Sequence, residues 1–412
     1  MAATAALLYL LGSLAGEARR DPVADLLTER CLALGIDLDP DNPQARHPSA
    51  EDVQALARAG VSSWLDAQIS SAEDTVAPPP AAFRDFLRDH HGPLWNVIAV
   101  LEKRSPESLM KADSPAVPKF LPFVRLEKLL LATALVESAD GNTIGAERAL
   151  EASWSLGKAF SSGHYLISQI LSVSAERWQA GVLRKLHEVP FAWISRLSGD
   201  SPWTRMLDAL AEEGTLPGPT LAAPSRDPSR ALSVRAFAAM ADGLRKVSPC
   251  ELTGLSMERI FQPAGNVFRL GSEEARADAS EFEQTVFPNL LSAVRRAARL
   301  MADRELTLRI LELRFEKAAS REGAWPTEYE NLGSSVCPGV LYGYRSEGKS
   351  MEIRFEGTVN TPEGGVVLPL EFRSGAGLAA PLPTLTPSPT HTPTPTPEAE
   401  PEDLDSSEGP EP

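Results

Sequence analysis

The chain has 412 residues, 43% of them hydrophobic and 23% charged, proportions ordinary for a globular protein, and it is long enough to hold two or three domains and to bury real cores. Its formal charge of −16 excludes nucleic acid as a partner, because that affinity rests on Lys and Arg neutralising phosphates and no basic patch is visible. The 35 prolines are unevenly placed, ten of them between Pro381 and Pro412.

The chain begins with an almost wholly apolar run, Ala2 to Gly16, in which Leu7, Leu8, Leu10, Leu11 and Leu14 surround Tyr9. Its length fits a signal-peptide core better than a full membrane span, and Ser13-Leu14-Ala15 offers a small-x-small cleavage site. Residues 1–20 are therefore expected to be a signal peptide or membrane-anchor-like segment, with membrane contact through residues 2–16. Against this, Arg19 and Arg20 follow the run instead of preceding it. A buried first helix of a cytoplasmic protein is one alternative, and a longer anchor beginning upstream of Met1 is another.

Residues 21–213 read as a helical domain. Ser49 is expected to cap a helix start with Asp52, and Val53, Leu56, Ala57, Val61, Trp64, Leu65 and Ile69 recur at three and four as one amphipathic helix. Pro78-Pro79-Pro80 breaks the chain before short helices around Phe83–Leu87 and Trp95–Leu101. From Phe120 to about Leu197 the pattern is strongest. Asp140-Gly141-Asn142 and Ser161-Ser162-Gly163 punctuate three apolar-faced helices, and turns that short force them antiparallel. Trp154-x-Leu156-Gly157-x-x-Phe160 resembles one tetratricopeptide unit, but no regular period follows, so an irregular bundle is preferred to a repeat array.

The Pro/Gly/Thr/Ser-rich stretch 214–228 is the expected linker or long loop. Residues 229–373 should form helices plus a small antiparallel sheet. A helix from Arg230 to Val247 and a loop-rich piece through Pro249, Pro263 and Gly265 come first. A run from Glu273 to Arg321 follows, divided by Pro288, which should sit in the first turn of its second helix. That helix carries Leu290, Val294, Ala298, Met301, Leu308, Leu311 and Phe315 on one face. Arg295, Arg299, Glu305, Arg309 and Glu312 form a stripe expected to face water.

Beyond Glu322-Gly323 the period becomes two. Leu341–Arg345, Ser350–Glu356 and Val366–Phe372 read as strands, with a hairpin turn at Ser346–Lys349, Met351, Ile353 and Phe355 sharing a face, and the long helix as lid. Residues 374–412 should be a disordered tail, Pro/Thr-rich and then acidic, carrying −7 of the net charge with no Lys or Arg.

A long helix, then Gly323, Trp325-Pro326, Leu332, Tyr342-x-Tyr344, Gly348 and Gly357 on a small sheet, resembles the globular end of bacterial pseudopilins over about residues 305–372. The resemblance implies a small α+β packing unit. Two departures withhold calcium binding and pilus assembly: some 290 residues precede this helix, and Cys337-Pro338-Gly339 stands where such proteins often have Asp-Pro-x-Gly.

No residue is assigned a catalytic, cofactor-binding or metal-binding role. Cys31, Cys250 and Cys337 are odd in number and far apart, and are read as isolated buried residues. His47, His90, His91, His164, His187 and His391 make no metal-ligand spacing; Asp85, Asp89, His90 and His91 are the only local cluster, read as an exposed helix end. Adjacent carboxylates such as Glu212-Glu213 and Glu273-Glu274 diverge on a helix and cannot share a substrate. Gly339–Gly343 lacks the third glycine and the helix of a dinucleotide site. The resulting expectation is a non-catalytic cell-envelope protein acting in protein–protein interaction or assembly, extracytoplasmic or membrane-anchored, with envelope proteins as partners. The rival is a hydrolase or transferase whose dispersed His and carboxylate residues meet only in the fold, with His164 or His187 in a deep pocket.

Overall fold

The computed structural model describes residues 22–38, 46–103, 120–163, 166–213, 228–269, 287–359 and 367–375. The expected N-terminal segment, the linker at 214–228 but for Pro228, the helix before Pro288 and the tail beyond Gly375 lie outside them. The fold is mainly α. Helices α1 (Pro22–Leu32), α2 (Ala50–Ala59), α3 (Val61–Ile69), α4 (Ala81–Asp89) and α5 (His91–Lys103) lead into α6 (Phe120–Ala139), α7 (Thr143–Ser161) and α8 (Leu166–Leu183). Then come α9 (Ala192–Ser198), α10 (Pro202–Glu213), α11 (Pro228–Leu244), α12 (Met257–Arg269) and α13 (Phe287–Ala319). Strands β1 (Tyr342–Glu347), β2 (Ser350–Phe355) and β3 (Glu371–Ser374) close the order.

Local chemistry accounts for several helix ends. Ser49 accepts from the Asp52 amide at 3.1 Å and donates to its carboxylate at 2.6 Å, so the expected cap forms. The amphipathic run behind it is two helices, not one. Gly60 adopts φ 64°, which ends α2 and redirects the chain into α3. Gly141, at φ 79°, likewise joins α6 to α7, and Asn142 caps α7 through the Gly145 amide at 3.1 Å. The loop expected around Pro263 and Gly265 is also a correction, since both lie inside α12. There the Pro263 ring lies where a Cβ added at Gly243 would meet it at 3.0 Å, so tertiary packing of α11 on α12 offsets the lost helical bond.

Three hydrophobic cores share α13. The first gathers α1 through α9 around the antiparallel hairpin helices, and α6 is buried on almost every side from Phe123 to Val136. The second joins α10, α11 and α12 to Leu290–Leu300 of α13 and takes in Leu166 and Val173 of α8. The third packs Ala302, Leu306, Ile310 and Leu313 of α13 against Tyr342, Met351, Ile353, Phe355 and Phe372, so the helix does cover the sheet. Leu311 and Leu368 return to the first core. The described residues from α1 to β3 accordingly belong to one compact unit.

The sheet is antiparallel in the order β1-β2-β3, with Tyr344 opposite Ile353 and Ile353 opposite Phe372. Met351, Ile353 and Phe355 share the buried face, as alternation predicts. The third strand begins later than expected, at Glu371, and its outer edge is covered: Arg373 exchanges backbone bonds with Ala72 and Asp74 at 2.9 and 3.0 Å.

The charged stripe of α13 is largely withdrawn from water, with Arg295 and Glu312 half-buried and the rest enclosed. Arg299, Asp303, Arg304, Glu305 and Arg309 are all buried, Asp303 completely. Each finds polar partners across the helix's neighbours, which is the condition for burying a charge. Arg299 donates to Leu368 O at 2.7 Å and Arg184 to Asp303 O and Pro369 O at 2.7 Å each, fixing the chain that enters β3. Arg314 reaches the open C-terminus of α8, donating to the carbonyls of Leu183, Arg184 and Leu186 at 2.5 to 2.9 Å.

Glu305 accepts from the Ser334 hydroxyl (2.6 Å), the Ser335 amide and hydroxyl (2.6 and 2.7 Å) and the Tyr342 hydroxyl (3.0 Å). Burial alone would raise its carboxyl, but these donors outweigh burial and hold it below the ordinary carboxylate value. Glu305 and Arg309, one turn apart on α13, pair at 3.3 Å inside the protein. Arg309 also donates to the carbonyls of Asn331 and Gly333 and lies 4.9 Å from the Tyr342 ring.

The cysteines correct the sequence reading as well. Cys250 and Cys337 form a disulfide across 87 residues with a Cα–Cα distance of 5.5 Å, and only Cys31 is free and buried. The bond ties the segment between α11 and α12 to the loop that Glu305 anchors.

Candidate ligand pocket among the helical hairpins

Side chains from five helices converge on a pocket of about 280 Å³. Trp154 and Lys158 come from α7, Glu176 and Gln179 from α8, Arg196 from α9, Arg205 from α10 and Arg304 from α13. These positions follow from the hairpin geometry: antiparallel α7 and α8 set one wall, and the turn through Gly199 and Asp200 brings α9 and α10 across its mouth.

The charges here are organised. Arg304 donates through every guanidinium nitrogen, in five bonds: Leu197 O twice, Arg196 O, Asp200 O and the Glu176 carboxylate. Burial lowers its pKa, against the Glu176 charge that raises it. Arg205 grips the same Glu176 carboxylate and donates to Asp200 O at 3.0 Å. Arg196 forms a bidentate pair with Glu151 at 2.6 and 2.8 Å. Its guanidinium lies 5.2 Å from the Trp154 ring and 4.8 Å from Trp193, which meet edge to face at 5.4 Å. Lys158 stands 6.0 Å from the Trp154 ring and has no carboxylate partner among the described residues.

Behind Gln179 lies a buried polar trio. Gln179 donates to Glu127 at 3.1 Å and to Ser153 Oγ at 3.0 Å, while Ser153 donates to Glu127 at 2.6 Å. Burial pushes the Glu127 carboxyl up to about 8, against the two hydrogen bonds that pull it down. Glu127 is therefore neutral at pH 7 and holds its proton inside the three-helix core.

A second groove of about 390 Å³ runs between Gly35, Val53, Leu56 and Val61, with Arg125 its only charged wall among the described residues. It offers little convergent polar chemistry, which the first pocket has.

The local cluster singled out in the sequence resolves into ordinary pairs. Arg88 bridges Asp85 and Asp89 at 2.8 and 2.9 Å, His90 bonds the Phe86 carbonyl at 3.0 Å and faces Asp52 at 3.6 Å, and His91 tilts over Trp95. His47 pairs with Asp37 at 2.7 Å. His187 is exposed beyond α8 and lines neither groove, while His164 and His391 lie outside the described residues. Glu212 is exposed, and Glu273-Glu274 lie outside the described residues. Among the described residues no group of three His, Cys, Asp or Glu is placed to hold a metal ion, and no helix is long and apolar enough to cross a membrane. The Lys158–Arg196–Arg205–Arg304 grouping went unread because its members are scattered over four helices. The one local signal was Trp154 with Lys158 one turn on.

Comparison with known proteins adds no relative: no family model, no curated protein and no solved structure matches the chain.

Proposed function

We propose that this is a non-catalytic protein of the cell envelope, extracytoplasmic or membrane-anchored, that acts by binding or assembling other envelope proteins. The observation that carries the compartment is the Cys250–Cys337 disulfide. Disulfides persist in oxidising compartments and are rare where thiols are kept reduced. The apolar run Ala2–Gly16 and the pseudopilin-like order of Gly323, Trp325-Pro326, Tyr342 and Tyr344 support the same assignment.

The binding role is supported by how the charged groups are used. Glu305, Glu176 and Arg304 spend their capacity on holding helices and loops together, as a rigid scaffold requires, and the pocket among the helical hairpins brings cations to Trp154. Two measurements test the reading. Fractionation of the native host should place the protein with the envelope, and peptide mapping without reductant should recover Cys250 linked to Cys337. Recovery of the protein solely in the soluble cytoplasm with both thiols free would refute it. Affinity recovery from membranes should bring back envelope proteins in fixed ratio; recovery of the chain alone would remove the assembly role.

A further inference from the structure

The pocket among the helical hairpins retains hydrogen-bonding capacity that the fold does not consume. Arg304 is fully engaged and only 8% of its side chain is exposed, so it is a fixed strut and a source of positive field. Arg196 and Arg205 are different. Each keeps 22% of its side chain exposed, and each spends only its two terminal nitrogens, one hydrogen apiece, on Glu151, Glu176 and Asp200 O. Every terminal nitrogen thus keeps a second N–H. Lys158 spends none of its three donors on the described residues and is exposed at the same pocket.

Charge points the same way. Lys158, Arg196, Arg205 and Arg304 face Glu151, Glu176 and Asp200, an excess of one cation in a chain whose total is −16. Arg196 neutralises Glu151, and Arg205 with Arg304 more than neutralises Glu176, so with Lys158 the cations exceed these two carboxylates by two, and the exposed Asp200 carboxylate, engaged only through its backbone carbonyl among the described residues, brings the excess to one. Beside Lys158 the half-buried Trp154 ring supplies an apolar wall. About 280 Å³ is at the small end of ligand sites.

We propose that this pocket binds a small organic anion. Its carboxylate is held by Lys158 with the spare donors of Arg196 and Arg205, and its flat or apolar body lies on Trp154. The guanidiniums are preorganised, because Glu151, Glu176 and the Asp200 carbonyl already fix them, so binding orders few side chains.

The test is calorimetric titration of the full-length protein with benzoate at constant ionic strength, with benzamide as the neutral isostere. Saturable one-to-one binding of benzoate is expected, with benzamide about tenfold weaker or worse, the loss expected for one charge-assisted hydrogen bond. Lys158→Met should weaken benzoate by a similar factor at an unchanged melting temperature, because Lys158 is exposed, while Lys103→Met, an exposed lysine outside the pocket, should leave it alone. No saturable benzoate binding, equal affinity for benzamide, or equal effects of the two lysine substitutions would each overturn the proposal. None of these results bears on the compartment, which fractionation tests separately.

Discussion

Cys250 and Cys337 stand 87 residues apart in sequence and 5.5 Å apart between Cα atoms, so one covalent bond joins the segment after α11 to the loop before the sheet. Closing a loop of that length restricts the unfolded chain strongly, typically by about 2–5 kcal/mol in natural disulfides. Cys250→Ser, or reduction of the native protein, should therefore lower the melting temperature by several degrees in a non-reducing scan. An unchanged transition would mean that the clamp on Glu305 already holds this loop alone.

The buried Glu127 makes a pH prediction with a definite sign. In the fold its carboxyl titrates at about 8, whereas unfolded it returns to its ordinary value near 4.5. Below the lower value both states are protonated and nothing is gained or lost. Between the two, unfolding releases a proton, so stability falls as pH rises, by up to roughly 1.4 kcal/mol per pH unit, and the full penalty is present above the upper value. Glu127→Gln keeps a neutral side chain that can still meet Ser153 and Gln179, so the variant should gain on wild type from pH 5 to about pH 8 and level off above it. Parallel melting curves across that range would show that Glu127 does not hold its proton in the fold.

Glu305 has the opposite sign. Its donors hold the folded carboxyl below the ordinary value, so its contribution is present above the unfolded pKa and is lost as pH falls through the folded one. Glu305→Gln replaces an acceptor-only carboxylate by an amide facing the Ser334 and Ser335 hydroxyls and the Ser335 amide. A loss on the order of 1–3 kcal/mol at pH 7 is expected, shrinking toward acid pH, read from urea denaturation at pH 7 and at about pH 4. A loss constant across pH would assign the effect to packing alone.

How much of this was legible in the sequence depends on how local the cause is. The Ser49–Asp52 cap, the Gly141 turn, and the alternation of Met351, Ile353 and Phe355 are each decided within a few residues, and all form as read. The burial of Arg299, Glu305 and Arg309 was not legible. The same four-residue spacing serves a solvated ion pair and a buried one, and what decides between them is Ser334, Ser335, Tyr342 and Leu368, some 25 to 70 residues away. The ligand pocket was hidden for the same reason. Arg196 and Arg205 are unremarkable helix residues until α9 and α10 fold across α7 and α8.

Gly181 tests the packing that makes this burial work. It lies in the last turn of α8, where alanine still has the better intrinsic propensity, by up to about 1 kcal/mol, so an isolated helix would gain from the change. In the fold a Cβ at this position would lie 2.7 Å from Ile69 Cβ of α3 and 2.9 Å from Leu368 Cδ2, closer than carbon atoms approach. Ile69 and Leu368 are themselves fully enclosed, and the Leu368 carbonyl is fixed by Arg299, so neither side chain yields without disturbing the first core. Overpacking should therefore win, and Gly181→Ala should destabilise by about 1–3 kcal/mol in chemical denaturation. Leu368→Ala in the same background should recover part of the loss, because it removes the crowded atom; additive losses would mean that Gly181 and Leu368 do not meet.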